Sequence, residues 1–378
     1  MRVGLDRLLR DGARLADFRA LRIGLLAHPA SVTRDLVHAL DALLGVGVRP
    51  RLLYGPEHGY GGGAQDMAHV ADAHEPKTGA RVVSLYGESF ERLSPSRDEL
   101  AEIDLLLVDL QDVGARYYTF VWTALLALRA CAAAGVRVLI LDRPNPIDGV
   151  TTEGRPHREP RLRSFVGLEA IPIRHGRTLG EIVLERARAE GLEGSLEILE
   201  VEGWDRTAYG DAWDRPFVLP SPNMPSVETA IVYPGGCLLE ATNLSEGRGT
   251  TRPFELVGAP WIDGHRLAND LHQIDLAGFR ARPTTFLPTF QKHAGQICGG
   301  VQIHVVDRRA FRPVATYLAL LALARAQDPS RFGLRTEVYE YVSPREAEAL
   351  DLLCGTTQTR EALMSGASAR DVIATVCD

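Results

Sequence analysis

Five short runs in the first 141 residues are almost unbroken in Leu, Ile and Val: Arg22 to Ala27, Arg51 to Tyr54, Arg81 to Leu85, Leu105 to Leu110 and Arg137 to Leu141. A strand reads this way when both of its faces are buried, which happens in a parallel sheet covered by helices on each side. Each run ends in a polar loop containing Gly or Pro, and a helical pattern follows. The alternation implies right-handed crossovers. The expected fold class is therefore α/β, a Rossmann-like, doubly wound, mostly parallel sheet. A sixth strand at Ile171 to Arg174 and a seventh at Leu196 to Val201 are expected to complete it.

The helices carry their own signals. Leu36, Val37, Leu40, Leu43 and Leu44 fall on one helical face. Trp122 to Ala134 is rich in Ala and Leu and stops at Gly135, a good C-terminal breaker. Thr178 with Glu181 has the spacing of a capping box.

At 378 residues the chain exceeds the size at which one core usually stops growing. The rhythm changes at Leu219-Pro220-Ser221-Pro222-Asn223-Met224-Pro225, where three prolines rule out regular structure. Beyond it lie Gly-rich segments, a strand-like piece at Gly300 to Val306, and a helix from Pro313 to Ala326 with proline at its start. Two domains are expected, 1–222 with the Rossmann-like sheet and 223–378 as a smaller α+β domain that closes a cleft over it.

The net charge of −7 argues against a nucleic-acid partner, since phosphate backbones are held by clustered positive charge. Five cysteines, an odd number with no C-x-x-C pair, point to free thiols rather than disulfides or zinc. No apolar run is long enough to span a bilayer, and no signal-peptide pattern opens the chain. The expectation is a protein without membrane insertion, placed in the cytoplasm, with export after loss of a leader as the other setting.

Polar residues gather where the apolar runs end. The loops are His28-Pro29-Ala30-Ser31, Gly55-Pro56-Glu57-His58-Gly59, Tyr86-Gly87-Glu88, Asp109 to Tyr118, Asp142-Arg143-Pro144-Asn145-Pro146 and Arg174-His175-Gly176. In a parallel sheet they share the carboxyl edge, where ligands bind at the switch in strand order. Glu57, His58, Asp112, Arg116, Asp142, Arg143 and His175 are thereby collected on one rim. Simple structural roles compete: Asp109 and Asp142 as helix caps, Arg143 as a partner for a carboxylate. Tyr60-Gly61-Gly62-Gly63 matches no phosphate-loop spacing and reads as a turn. His69, Asp72 and His74 lack metal-ligand spacing. Glu240 to Glu255 is too polar for core and reads as a wall of the cleft, with a solvated loop as the plain alternative.

Read together, the motifs resemble the NamZ-type exo-β-N-acetylmuramidases. They are GPEHG (Gly55 to Gly59), SLYG (Ser84 to Gly87), DLQDVGARYYT (Asp109 to Thr119), DRPNP (Asp142 to Pro146), SFVG (Ser164 to Gly167), RHGRTLGE (Arg174 to Glu181), PSPNMP (Pro220 to Pro225), TNLSEGRGTTRPFE (Thr242 to Glu255) and GAPW (Gly258 to Trp261). Two departures stand out. Tyr60 to Met67 replaces an Arg-Gly-Asp-like run, and Ala241 stands where glycine is usual.

The resemblance implies release of N-acetylmuramic acid from peptidoglycan fragments or muropeptide-derived sugars, with no metal or organic cofactor. Glycoside hydrolysis needs a carboxylic acid at the leaving oxygen and a second group at the anomeric carbon. Glu57 is the candidate acid, with His58 or His175 to orient it. Asp112 is preferred for the second role, with Glu246 as runner-up. The lactyl carboxylate of muramic acid calls for a cation, and Arg116, Arg143 and Arg248 are the candidates. Tyr117, Tyr118 and Trp261 offer faces for a sugar ring. Asp142, Asn145, Asn223 and Asn243 complete the expected substrate-binding set. The alternative on the same residues is a non-catalytic muramyl-sugar binding or sensing module.

Overall fold

The computed structural model describes residues Met1 to Cys377. The chain forms two compact units. The first comprises Met1–Gly114, Tyr118–Val150 and Gly176–Val227; the second comprises Ala115–Tyr117, Thr151–His175 and Glu228–Asp378. The division therefore falls at Val227 rather than residue 222, and two earlier segments belong with the C-terminal unit.

The first unit holds a seven-stranded sheet. Its strands are β1 (Ile23–Ala27), β2 (Leu52–Gly55), β3 (Ala73–His74), β4 (Arg81–Ser84), β5 (Leu105–Asp109), β6 (Arg137–Leu141) and β7 (Leu196–Leu199). Their spatial order is β3-β4-β2-β1-β5-β6-β7. All neighbours are parallel except the β3–β4 edge pair. The order reverses between β1 and β5, so the switch point lies at their carboxyl ends.

Register explains the unbroken apolar runs. Leu53 pairs with Leu25, Leu25 with Leu107, and Leu107 with Leu139. These four side chains share one core with Leu5, Leu8, Leu15, Phe18, Leu40 and Leu43, contributed by three short helices. The alternate residues Leu26, Leu106, Val108 and Ile140 are just as buried on the opposite face. The helix Phe120–Ala134 is buried along its whole first half and ends at Gly135 with φ 73°, which glycine adopts without strain. The capping box at Thr178 and Glu181 is formed and starts the helix Leu179–Glu190.

Two expectations are corrected. Ile171 to Arg174 is not a strand: Arg174 makes only isolated bridges to Ala115 and Glu153, in the second unit. Its residues lack a neighbour to extend a ladder, and the seventh position of the sheet is filled by the short antiparallel edge strand β3. Leu36 and Val37 precede the helix Ala39–Gly45 and are exposed, with Leu36 at φ 62°.

The second unit contains a three-stranded antiparallel sheet in the order β8-β10-β9, where β8 is Leu256–Ala259, β9 Phe279–Phe286 and β10 Cys298–Val305. The helix Pro313–Gln327 is almost wholly buried. Glu153 accepts a hydrogen bond from the Ala315 N–H at its first turn, 2.9 Å, tying the Thr151–His175 segment to this unit. The five cysteines are free, four of them buried. Among the described residues no helix is long and apolar enough to cross a membrane.

Leu107 sits mid-sheet with no exposure. Leu107→Ala is expected to lower unfolding free energy by roughly 2–5 kcal/mol in urea denaturation. A loss under about 1 kcal/mol would mean the site collapses freely and is not close-packed.

Candidate active site

The turn after β2 is built to present Glu57. Only glycine fits at position 55, because a Cβ there would come within 2.3 Å of the Tyr60 nitrogen. His58 and Gly59 follow at φ 69° and 80°, so the chain reverses sharply. Glu57 is buried, and both oxygens are oriented. The Thr119 hydroxyl donates to one at 2.7 Å, and the Met67 N–H to the other at 3.4 Å. The His58 Nδ1 lies 2.9 Å from the Ala64 carbonyl. The Asn223 side-chain amide donates to the Gln65 side-chain Oε1 at 2.8 Å. The Tyr60 to Met67 run, which departs from the family pattern, is therefore docked against the Glu57 turn and the proline-rich loop.

The loop after β5 supplies the second carboxylate. Asp112 accepts the Gly114 N–H at 2.7 Å, the short-range turn to which Asp is suited. Gly114 takes φ 86°, and a Cβ would strike the Asn145 side chain at 2.5 Å. Gln111 donates to the carbonyls of Asp112 and Pro144. Burial pushes the Tyr118 hydroxyl well above its ordinary range. Ser221 and the carboxylates of Asp112 and Glu57 act on it electrostatically. Glu57, Asp112, Tyr118 and Ser221 are thus electrostatic neighbours in one unit.

Other expected residues hold the loops that surround this cluster. Arg143 forms a bidentate, fully buried pair with Asp109, at 2.5 and 2.9 Å, and donates to the Val32 carbonyl. Asn145 accepts the Ile147 N–H and donates to the Arg177 carbonyl. Asp142 accepts the Gly180 N–H at 2.9 Å, at the start of the helix Leu179–Glu190. Burial raises its carboxyl to about 7, against the pull of Thr178 and of the Gly180 and Arg143 N–H groups.

The remaining expected residues belong to the second unit. The Arg116 guanidinium donates to the carbonyls of Arg155, Ile171 and Leu353. The Tyr117 hydroxyl donates to the Pro234 carbonyl. His175 is buried, and it follows no strand of the sheet. Asn243 accepts the Gly333 N–H and donates to the Arg331 carbonyl. Arg248 pairs with Glu240 at 2.6 Å and Glu246 at 3.2 Å; Lys292 reaches Glu246 at 2.9 Å. Burial alone would raise the Glu246 carboxyl, but Lys292 and Arg248 outweigh it and hold it below its usual range. It is a fixed carboxylate between two cations. All three arginines expected to meet a ligand carboxylate are thus engaged by protein groups.

Sequence reasoning left Thr119, Gln65, Met67 and His28 without roles, although His28 and Thr119 lie in strand-end motifs. A hydroxyl beside a carboxylate across 62 residues has no local signature. Among the described residues no group of three or more His, Cys, Asp and Glu side chains gathers as a metal cage.

A buried carboxylate-bearing turn at the carboxyl edge of a doubly wound sheet, in a chain with a second α+β unit, places the protein in the class of two-unit α/β proteins with a polar site at the switch point. Residues 23–228 match the N-terminal and 231–377 the C-terminal portion of the exo-beta-N-acetylmuramidase NamZ description, and the chain belongs to that family. It is 39% identical over 374 residues to the peptidoglycan beta-N-acetylmuramidase NamZ of Bacillus subtilis (strain 168), covering 99% of this chain and 86% of the relative. Two crystal structures of DUF1343 family proteins from Bacteroides fragilis NCTC 9343 share the fold. One has TM-score 0.86 and 28% identity, covering 99% of this chain and 94% of the other. The second has TM-score 0.72 and 26% identity, covering 99% and 93%.

A raised native carboxyl binds its proton more tightly than the unfolded chain does. Its stabilising effect is complete below the unfolded value near 4 and is lost as pH rises through about 7. At about 1.4 kcal/mol per pH unit, the Asp142 contribution is on the order of a few kcal/mol. Asp142→Asn cannot ionise, so wild-type stability should fall relative to it between pH 4 and 7 in paired denaturation curves. Parallel pH profiles would contradict the assignment.

Proposed function

We propose that this chain is an exo-β-N-acetylmuramidase, an O-glycosyl hydrolase that removes single N-acetylmuramic acid units from the non-reducing ends of peptidoglycan-derived β-1,4-linked sugars. Kinship over nearly the full chain supports the reaction. The observation that carries the chemistry is the buried Glu57, oriented by Thr119 and Met67 and neighboured by Asp112 and Tyr118.

Glu57 delivers the proton to the departing glycosidic oxygen. Asp112 acts on the anomeric side, by steering the acetamido oxygen of the sugar or a water. His58 and Asn223, which bind the Tyr60 to Met67 run, shape the turn around the sugar. Tyr118 is an electrostatic neighbour of both carboxylates. Glu246 is not assigned the second role, because its oxygens are committed to Arg248 and Lys292. Arg143, Asp142 and Asn145 act through the loops they hold.

The test is release of para-nitrophenol from its β-N-acetylmuramic acid glycoside beside the β-N-acetylglucosamine analogue. The wild-type protein is expected to turn over the first alone. Glu57→Gln should fold normally with kcat lower by at least ~100-fold, the scale of general acid catalysis. Near-normal turnover would remove Glu57 from the acid role. Binding of the muramic sugar without turnover by the wild type would favour a sugar-binding module.

A further inference from the structure

At the switch point of the sheet, one histidine joins two loops that the reaction needs. His28 follows β1 directly and is 1% exposed. Its Nε2 accepts the Gln111 N–H at 2.9 Å, which fixes the ring as an acceptor on that side. Its Nδ1 therefore carries the hydrogen and donates to the Pro220 carbonyl at 3.2 Å. The ring is seated edge-on against Phe120 at 4.9 Å, and Phe120 in turn against Tyr118 at 4.8 Å. Gln111 adjoins Asp112, and Pro220 adjoins Ser221, an electrostatic neighbour of Tyr118, and lies three residues from Asn223. Neither loop adjoins the other in sequence, and His28, which follows β1 where the strand order reverses, touches both.

We propose that His28 is a positioning residue, a neutral Nδ1–H imidazole whose two nitrogens set the Asp112 loop and the Ser221–Asn223 loop relative to each other for catalysis. The role of these loops rests on the function proposed above. Burial, with Arg143, His38 and His58 also nearby, keeps the ring from acquiring a second proton. A cationic ring would have two donors and would have to release the Gln111 N–H, leaving a buried backbone donor unpaired.

The two nitrogens can be removed one at a time. Asn places its amide where Nδ1 lies, and Gln places its amide where Nε2 lies. His28→Asn keeps the Pro220 link and loses the Gln111 link, so kcat should fall by at least ~10-fold with KM within ~2-fold, the signature of a contact that matters in the transition state. His28→Gln keeps the Gln111 link and frees the proline-rich loop, so KM should rise by ~5-fold or more with kcat largely retained. Long-range 15N NMR of the wild-type imidazole should report the Nδ1–H neutral form throughout pH 5 to 8.

Equal losses in kcat and KM for both variants would reduce His28 to a structural residue and overturn the proposal. So would an Nε2–H or doubly protonated ring in that pH range, even if neither variant folds. An inactive wild-type protein with the Nδ1–H signal intact would sink the proposed function while leaving the link between the loops standing.

Discussion

The parallel pairing of β1 with β2 on one side and β5 on the other is the constraint on which the rest depends. It forces the loops after β1, β2, β5 and β6 to leave the same edge. It also demands that both sheet faces be buried, which is why these segments are built of Leu, Ile and Val. One edge thus receives Glu57, Asp112, His28 and the Arg143–Asp109 pair together. That pair is fully buried, and burying two charges repays itself only when every oxygen and N–H is used. Here the fork of Arg143 meets both Asp109 oxygens and the Val32 carbonyl, so the β1, β5 and β6 ends are joined by one cation.

The division of charged residues follows the same logic. Isolated arginine is a good reader of a ligand carboxylate, yet Arg116, Arg143 and Arg248 each meet protein groups already. In the second unit, Glu240, Arg248, Glu246 and Lys292 form a chain of alternating charge closed by the Tyr339 hydroxyl on Glu240. This network fixes the polar Thr242 to Glu255 stretch, which explains how so polar a segment is largely buried. The groups that orient Glu57 are of a different kind: the Thr119 hydroxyl and the Met67 backbone N–H.

The sheet was legible because burial on two faces leaves a composition signal in every strand. The helix ends at Gly135 and Thr178 were legible because caps are local. Ile171 to Arg174 misled because a short apolar run satisfies the same pattern whether it enters a sheet or only crosses a core. The two-residue edge strand Ala73–His74 is exposed on both faces and carries no such signal. At the site, the carboxyl-edge argument and the family motifs singled out Glu57 and Asp112. The motifs did not reveal that the arginines are already engaged, because partners such as the carbonyls of Arg155, Ile171 and Leu353 lie 39 to 237 residues away. His28 escaped for the same reason: its two partners lie 83 and 192 residues along the chain.

The central claim is that the sugar is cleaved at the carboxyl edge, beside the turn after β2. The direct measurement is a crystal structure of Glu57→Gln with the unhydrolysed disaccharide of N-acetylmuramic acid β-1,4-linked to N-acetylglucosamine. The account predicts the glycosidic oxygen within about 3 Å of the residue 57 amide, the reach a general acid needs, with the muramic ring by Asp112 and Tyr118. A disaccharide bound away from this turn, with Glu57 and Asp112 untouched, would contradict it.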